Sequence, residues 1–412
     1  MERDVTVLGA GIVGICTALS LIERGLNVRL VDRGDPGQAT SFGNAGVISP
    51  WSIVPQSMPG VWKKIPGWLM DPLGPVSIKP SYLPQLTGWG LRFLAQGKRE
   101  RVREISAAMD TLNHDCISLY RHHLAGTGHE SLIRDSCYIH AFRDGNAARL
   151  DSFDNELRRA AGADLERVDG NTLREIEPAL SEEFEAAIVI KGQARALAPG
   201  RIGEVLFDKF KDLGGVFSSA TVHGIQPMEA GGWRYVTDDG EHTASKLVMA
   251  MGVWSAELLR PLGIKVPLQS ERGYHVTFTE PGITLNNSIM DVDMKFVASS
   301  MEDGLRVAGT AEFAGLDSPI NEKRLAGLVT LAGKLSPDLN ANAFTKWSGQ
   351  RPSLPDSLPC IGEFDGFPDL IAAFGHSHYG LMMAPKTGRI VAELAAGGRP
   401  NIDLSPYRPN RF

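Results

Sequence analysis

The chain has 412 residues, 43% hydrophobic and 22% charged, with a formal net charge of −6. That length exceeds one small core and suits two interleaved domains, and the acidic balance excludes a nucleic-acid binder that must neutralise phosphates. No apolar run reaches the roughly 18 residues of a membrane span. Four well-separated cysteines (Cys16, Cys116, Cys137, Cys360), with no CxxC pair, fit reduced thiols in a cytoplasmic protein.

The first predicted unit is the most informative. A short apolar strand, Val5 to Leu8, runs into Gly9-Ala10-Gly11-Ile12-Val13-Gly14, an apolar helix, and a second strand, Val28 to Val31, that ends on Asp32. This is a dinucleotide-binding pattern in its required strand–turn–helix context. Gly9 permits the tight turn, Gly11 lets a pyrophosphate approach the backbone, and Gly14 lets helix and strand pack closely. The amides at the helix start present the positive end of the helix dipole to the diphosphate. Asp32 can accept ribose hydroxyls and disfavours a 2′-phosphate. The pattern alone leaves NAD and FAD both open.

A small-residue loop follows from Ala39 to Pro50, with room for a planar ligand. The segment from Trp51 to Phe93 is rich in proline and glycine and holds Trp51, Trp62, Trp68, Trp89 and Lys63-Lys64. It is expected to fold over the cofactor, with peripheral contact at the inner face of a membrane as the alternative. Apolar residues three or four apart predict one long helix from Arg99 to Leu124. Next come a strand at 136–142, a helix at 144–161 closed by Gly162, and a strand at 186–190. A helix at 199–213 leads into strands at 216–217, 221–225, 233–237 and 246–250. Strands at 273–279, 295–300 and 305–309 precede a helix at 320–335. The C-terminal part reads as a proline-rich stretch from Arg351, a strand at 370–374, a glycine loop and a helix at 386–396.

Three further blocks join the glycine turn with Asp32: Ser41-Phe42-Gly43-Asn44-Ala45-Gly46-Val47-Ile48-Ser49-Pro50, Trp347-Ser348-Gly349-Gln350-Arg351-Pro352, and Gly375-His376-Ser377-His378-Tyr379-Gly380. In this order and spacing they resemble the FAD-dependent D-amino acid oxidase and dehydrogenase superfamily, bacterial D-amino acid dehydrogenases above all. The resemblance covers nearly the whole chain and selects FAD over NAD. It implies an α/β fold: a Rossmann-like FAD-binding domain (1–50, 185–260, 345–412) interleaved with an antiparallel-sheet, α+β substrate-binding domain (51–184, 261–344).

It further implies that FAD contacts come from Gly9, Ala10, Gly11, Ile12, Val13, Gly14, Asp32 and Arg33. A second group is Thr40, Ser41, Gly43, Asn44, Ala45, Gly46, Val47 and Ile48. Val222 at the adenine, Gly252 and Trp254 at the diphosphate, and Gly375, His376, Ser377, Gly380 and Leu381 at the flavin complete the set. Cys360, nine residues beyond Arg351, does not match the position of covalent flavin attachment in amine-oxidising relatives, so FAD is expected to be non-covalent.

Arg351 is the expected clamp for a substrate carboxylate, because a planar guanidinium grips it through two parallel hydrogen bonds. Tyr274, His378 and Tyr379 are the other candidate substrate contacts, and no general base is assigned. His376-x-His378 lacks Cys or acidic ligands at metal spacing, so no metal is expected. The implied reaction is oxidative deamination of a D-amino acid: hydride passes from the α-carbon to flavin N5, and water hydrolyses the imine. The alternative substrate is a secondary or cyclic amine of the sarcosine, glycine or D-hydroxyproline kind. A quinone or dioxygen would accept the electrons.

Overall fold

The computed structural model describes residues 4–412. Its first sheet has six strands in the order Cys360–Phe364, Phe367–Phe374, Lys246–Met249, Asp4–Leu8, Asn27–Asp32, Val216–Ser219. All neighbours run parallel except the first pair, a hairpin. Parallel strands are apolar on both sides because both faces are covered, and this sheet shows why. Val5, Val7, Leu30 and Val248 pack with helices Ile12–Glu23, Pro199–Asp212 and Gly380–Ala395. Leu8, Val31, Leu247 and Met249 pack instead with a three-stranded antiparallel sheet, Val222–Pro227, Trp233–Thr237 and Gly240–Ala244. Helices Ile12–Glu23 and Gly380–Ala395 touch backbone to backbone, since a β-carbon on Gly388 would stand 2.5 Å from the Cys16 carbonyl oxygen.

The second sheet has ten strands and is mostly antiparallel. Its main path runs Phe344–Ser353, Gln269–Phe278, Gly304–Phe313, Phe296–Met301, Ser288–Asp291, Ile133–Phe142, Ala186–Ala196, Val47–Ile48. One face buries Val276, Phe278, Phe296, Val307 and Ile289 against helix Glu322–Leu335. The opposite face looks back toward the six-stranded sheet. Strands Ala186–Ala196 and Phe344–Ser353 both belong to this large sheet.

Several local readings change. The helix expected from Arg99 to Leu124 is two, Arg99–Asn113 and Cys116–Leu124. At the break, Asn113 Nδ2 donates to the Ser52 carbonyl and Asp115 takes the Lys386 ammonium, so tertiary bonds replace helix continuity. Only Phe153–Ala160 of the stretch 144–161 is α-helical. The C-terminal helix starts six residues early, at Gly380, so the glycine loop ends on a helix N-terminus. Arg351 lies in a strand rather than a proline-rich loop.

Candidate active site

A cavity of about 1470 Å³ lies between the two sheets. One wall comes from the segments leaving the carboxyl ends of the parallel strands: Gly9 to Val13, Asp32 to Gly34, Ala220 to Val222, Ala250 to Gly252, and Phe374 to Leu381. Open α/β sheets bind ligands at this edge.

At the nucleotide end, Gly9 has φ +104°, and a β-carbon there would meet the Ala250 carbonyl oxygen at 2.4 Å. A β-carbon on Gly14 would stand 1.8 Å from the Gly9 carbonyl oxygen, so this glycine serves helix–strand packing and does not line the cavity. Ala10 is also behind the wall, but its amide donates to Asp32 Oδ2 at 2.6 Å. Gly34 donates to Asp32 Oδ1 at 3.0 Å. The Asp32 carboxylate is thereby fixed at the cavity edge beside Arg33, whose guanidinium lies 4.7 Å over the Trp254 ring. The Ile12 amide, first in its helix, donates to Ser41 Oγ at 3.0 Å. Val13, Val222 and Gly252 line the same end.

The loop after Ala39 is held from below. Arg306 Nη1 donates to the carbonyls of Phe42 (2.8 Å) and Asn44 (3.0 Å), and Thr40 donates to the Gln350 carbonyl. The Asn44 side chain accepts the Gly46 amide at 2.8 Å, a self-contained turn. Gly43 presses on Trp347, where a β-carbon would stand 2.0 Å from the ring. Trp347 in turn stacks on His275, with centroids 4.9 Å apart, and His275 faces the Gly43 carbonyl. Ala45 and Val47 line the cavity, whereas Gly46 and Ile48 do not: Gly46 abuts the Ala196 carbonyl and Ile48 is fully buried.

At the other end, Arg351 Nη1 donates to Glu271 Oε1 and to the Thr310 carbonyl, both at 2.9 Å. The guanidinium lies flat on Gly273, where a β-carbon would stand 2.2 Å from Nη2. Its Nε and Nη2 have no hydrogen-bond partner among the described residues, so the two-donor edge that fits a carboxylate is free. Glu271 is 2% exposed. It also faces His378 Nε2 at 2.5 Å and accepts Ser353 Oγ at 2.8 Å. Burial alone would raise its carboxyl, but His378, then Arg351 and Ser353, pull it down to about 2. Glu271 is thus an ionised carboxylate that aims both Arg351 and His378.

Tyr274 does not belong to this site. It occupies the opposite face of strand Gln269–Phe278 and donates to Glu312 Oε2 at 2.5 Å while accepting the Asn321 amide. Strand parity explains the correction: Glu271 and Gly273 share the cavity side, and their neighbours Arg272 and Tyr274 point away. Tyr379 lines the cavity, its hydroxyl donating to the Val54 carbonyl, with burial pushing the phenol up. The His376 ring turns to Thr387 Oγ1 at 3.0 Å, and burial lowers it to about 3, so it is neutral and offers the cavity mainly its backbone. Ser377 holds a left-handed φ of +49°. Gly375, Gly380 and Leu381 line the cavity where helix Gly380–Ala395 begins, with the positive end of its dipole inward. The His376 and His378 rings face different partners rather than one ion.

Glu271, Trp347, Arg306 and Thr310 were absent from the sequence-level candidates. Glu271 sits in the polar stretch Gln269-Ser270-Glu271-Arg272-Gly273, so no local pattern singles it out, and Thr310 shows itself only in the folded chain, through its φ of +61°.

A glycine turn into a helix start, an Asp32 carboxylate pinned by two amides, a long cavity with a second helix start and an arginine with a free two-donor edge make up a site whose residues fit FAD. The match extends over residues 4–394: the chain belongs to the DAO family, described as FAD dependent oxidoreductase. It is similar to a D-amino-acid oxidase of Bradyrhizobium diazoefficiens, 37% identical over 100% of this chain and 99% of that protein. It is 31% identical to a D-amino acid dehydrogenase of Xanthobacter autotrophicus over 99% of each chain. Among solved structures, glycine oxidase from Geobacillus kaustophilus superposes with a TM-score of 0.76 at 21% identity, covering 99% of this chain and 98% of that one. An L-proline dehydrogenase from P. horikoshii gives 0.75 at 19%, covering 99% of this chain and 97% of that one. No helix among the described residues is long and apolar enough to cross a membrane.

Proposed function

We propose that this FAD-dependent oxidoreductase oxidises the α-C–H bond of a D-amino acid, and that the resulting imine is hydrolysed. The observation that carries the reading is Arg351, held on one side by Glu271 and Thr310 and open on the other toward the cavity. Its free edge takes the α-carboxylate in a bidentate grip, and fixing the substrate this way supplies much of the catalysis. Residues from Asp32 to the 375–381 loop would hold FAD non-covalently, and it would supply the hydride acceptor. The amides at the start of helix Gly380–Ala395 would favour negative charge on it. His378, with Tyr379 beside it, faces the substrate. No cysteine lines the cavity among the described residues, which supports non-covalent binding. Similarity to a D-amino-acid oxidase and to D-amino acid dehydrogenases supports the choice of substrate. The division into a nucleotide unit (1–50, 185–260, 345–412) and a substrate unit follows the same reading, with strands Ala186–Ala196 and Phe344–Ser353 as the seam.

The electron acceptor in this reading is a quinone. Trp62, Leu69, Met70, Leu83 and Leu91 stand exposed beside Lys63 and Lys64, at the rim where Ile65, Trp68 and Leu94 line the cavity. That belt suits peripheral contact with the inner face of an anionic membrane. Flotation with anionic vesicles, against the Trp62→Ser/Met70→Ser double variant, tests it. The function itself is tested by mixing the yellow holoenzyme anaerobically with single D- and L-amino acids, sarcosine and cyclic amines. Bleaching by D-amino acids is expected, and its loss in Arg351→Ala. A flavin band that no amine bleaches refutes the reading.

A further inference from the structure

The cavity extends well past Arg351. Its floor is the inner face of the ten-stranded sheet, and the strand register lays Ala308, Val297, Met290 and His140 side by side along it. Thr310, two residues from Ala308, is the residue whose carbonyl holds Arg351. Lys295 directly precedes strand Phe296–Met301, and its carbonyl oxygen lies 3.4 Å from where a β-carbon on Gly309 would stand. Lys295 therefore lines the cavity about one strand spacing, ~4.8 Å, from the segment that fixes the carboxylate clamp.

Lys295 closes the turn that joins strand Ser288–Asp291 to its antiparallel partner Phe296–Met301, with a left-handed φ of +59°. Two observations single it out. Its ammonium has no hydrogen bond or ion pair among the described residues. The acids around it are engaged elsewhere. Asp154 is held by Arg158 Nη1 (2.8 Å) and Ser152 Oγ (2.6 Å). Asp291 accepts Arg143 Nη2 and the Met294 amide, both at 2.9 Å, and Asp293 accepts the Arg143 amide at 2.9 Å. The cavity at this end is also lined by Arg158 and Lys64, against the single carboxylate of Asp154. Burial, and then the like charge of Lys64, lower the Lys295 ammonium from the ordinary lysine value, as befits a cation without its counter-ion.

We propose that Lys295 receives a second carboxylate of the amine substrate, beyond the one gripped by Arg351. This rests on the reading of the chain as an amino acid oxidoreductase and makes dicarboxylic amines its preferred substrates over simple ones such as D-alanine. The second carboxylate has two chemical sources, the side chain of an acidic D-amino acid or a substituent on the nitrogen.

The test uses anaerobic stopped-flow bleaching of the holoenzyme with acid and amide partners of equal shape. One pair is D-glutamate and D-glutamine; the other is N-(2-carboxyethyl)glycine and its terminal amide. D-Alanine serves as the simple substrate. The wild type is expected to bind the acid of one pair roughly tenfold to a hundredfold more tightly than its amide. The responding pair identifies the source. Lys295→Met brings that ratio close to one, and Lys295→Arg preserves it; because the ratio is taken within each variant, altered folding or flavin content cancels. An absent preference in both pairs, or one that survives in Lys295→Met, overturns the assignment while bleaching by D-alanine leaves the underlying function standing. If no amine bleaches the flavin, both fall together.

Discussion

Replacing Glu271 by Gln removes one negative charge and little else. The amide oxygen can still face Arg351 and His378, and the amide nitrogen can still meet Ser353 Oγ, whose hydroxyl also accepts. The loss is therefore electrostatic. Holding a carboxyl at about 2 rather than its ordinary 4.5 contributes about 3 kcal/mol to folding at neutral pH. The cost of removing one member of a buried ion pair, about 3–5 kcal/mol, agrees at its lower end, as befits an Arg351 side chain that keeps 18% exposure. The sign follows from a depressed carboxyl: this stability is complete above about pH 4.5 and disappears as pH falls through about 2. Urea unfolding of wild type and Glu271→Gln at pH 7 should differ by about 3 kcal/mol, and the gap should close to about half at pH 3. Carboxylates elsewhere titrate equally in both proteins, so the difference isolates Glu271 together with its bonded partners His378 and Arg351. A gap of the same size at both pH values would show a packing effect and refute the ionised pair. No gap at all would refute the contact. Freed from its anchor, Arg351 should also lose alignment, with a roughly 10²-fold fall in the rate constant of flavin reduction at limiting D-alanine.

Gly43→Ala places a carbon 2.0 Å from a Trp347 ring that is already stacked on His275, so the purified protein should lose most of its bound flavin; a wild-type ratio of visible to ultraviolet absorbance would refute this. Asp32→Ala strips the acceptor from the Ala10 and Gly34 amides and the expected ribose contact. Calorimetric titration of the apoprotein should show FAD binding weakened roughly tenfold or more, and unchanged affinity would count against the site. Tyr274→Phe removes a donor from Glu312 on the far face of the strand. Its unfolding free energy should drop by about 1–3 kcal/mol while the apparent affinity for D-alanine stays within about twofold. A large change in affinity with no change in stability would return Tyr274 to the cavity.

The parts of this protein that the sequence determines are those in which cause and effect are neighbours along the chain. Gly9, Gly11, Gly14 and Asp32 lie within one strand–turn–helix–strand unit, where the glycine backbone, the helix dipole and the chain length already dictate a diphosphate cradle. The central strands of the six-stranded sheet are legible for a similar reason: burial on both faces leaves largely apolar runs at residues 5–8, 247–249 and 370–374, whereas the edge strand Cys360–Phe364, with Gly362 and Glu363, carries no such run. Arg351 is visible through its motif, but its surroundings are not. Glu271 meets it across an antiparallel pairing between residues 80 positions apart, and no local pattern specifies that register. The same pairing sets which side of the strand faces the cavity, so it admits Glu271 and sends Tyr274 to the opposite core. The break at His114 and Asp115 likewise depends on Ser52 and Lys386, partners that helical periodicity cannot report. Local backbone preference and apolar periodicity thus decide the elements and the cofactor end. Only the sheet register decides which charges meet at the reacting end, because a strand reveals its two faces in sequence but not what each will face.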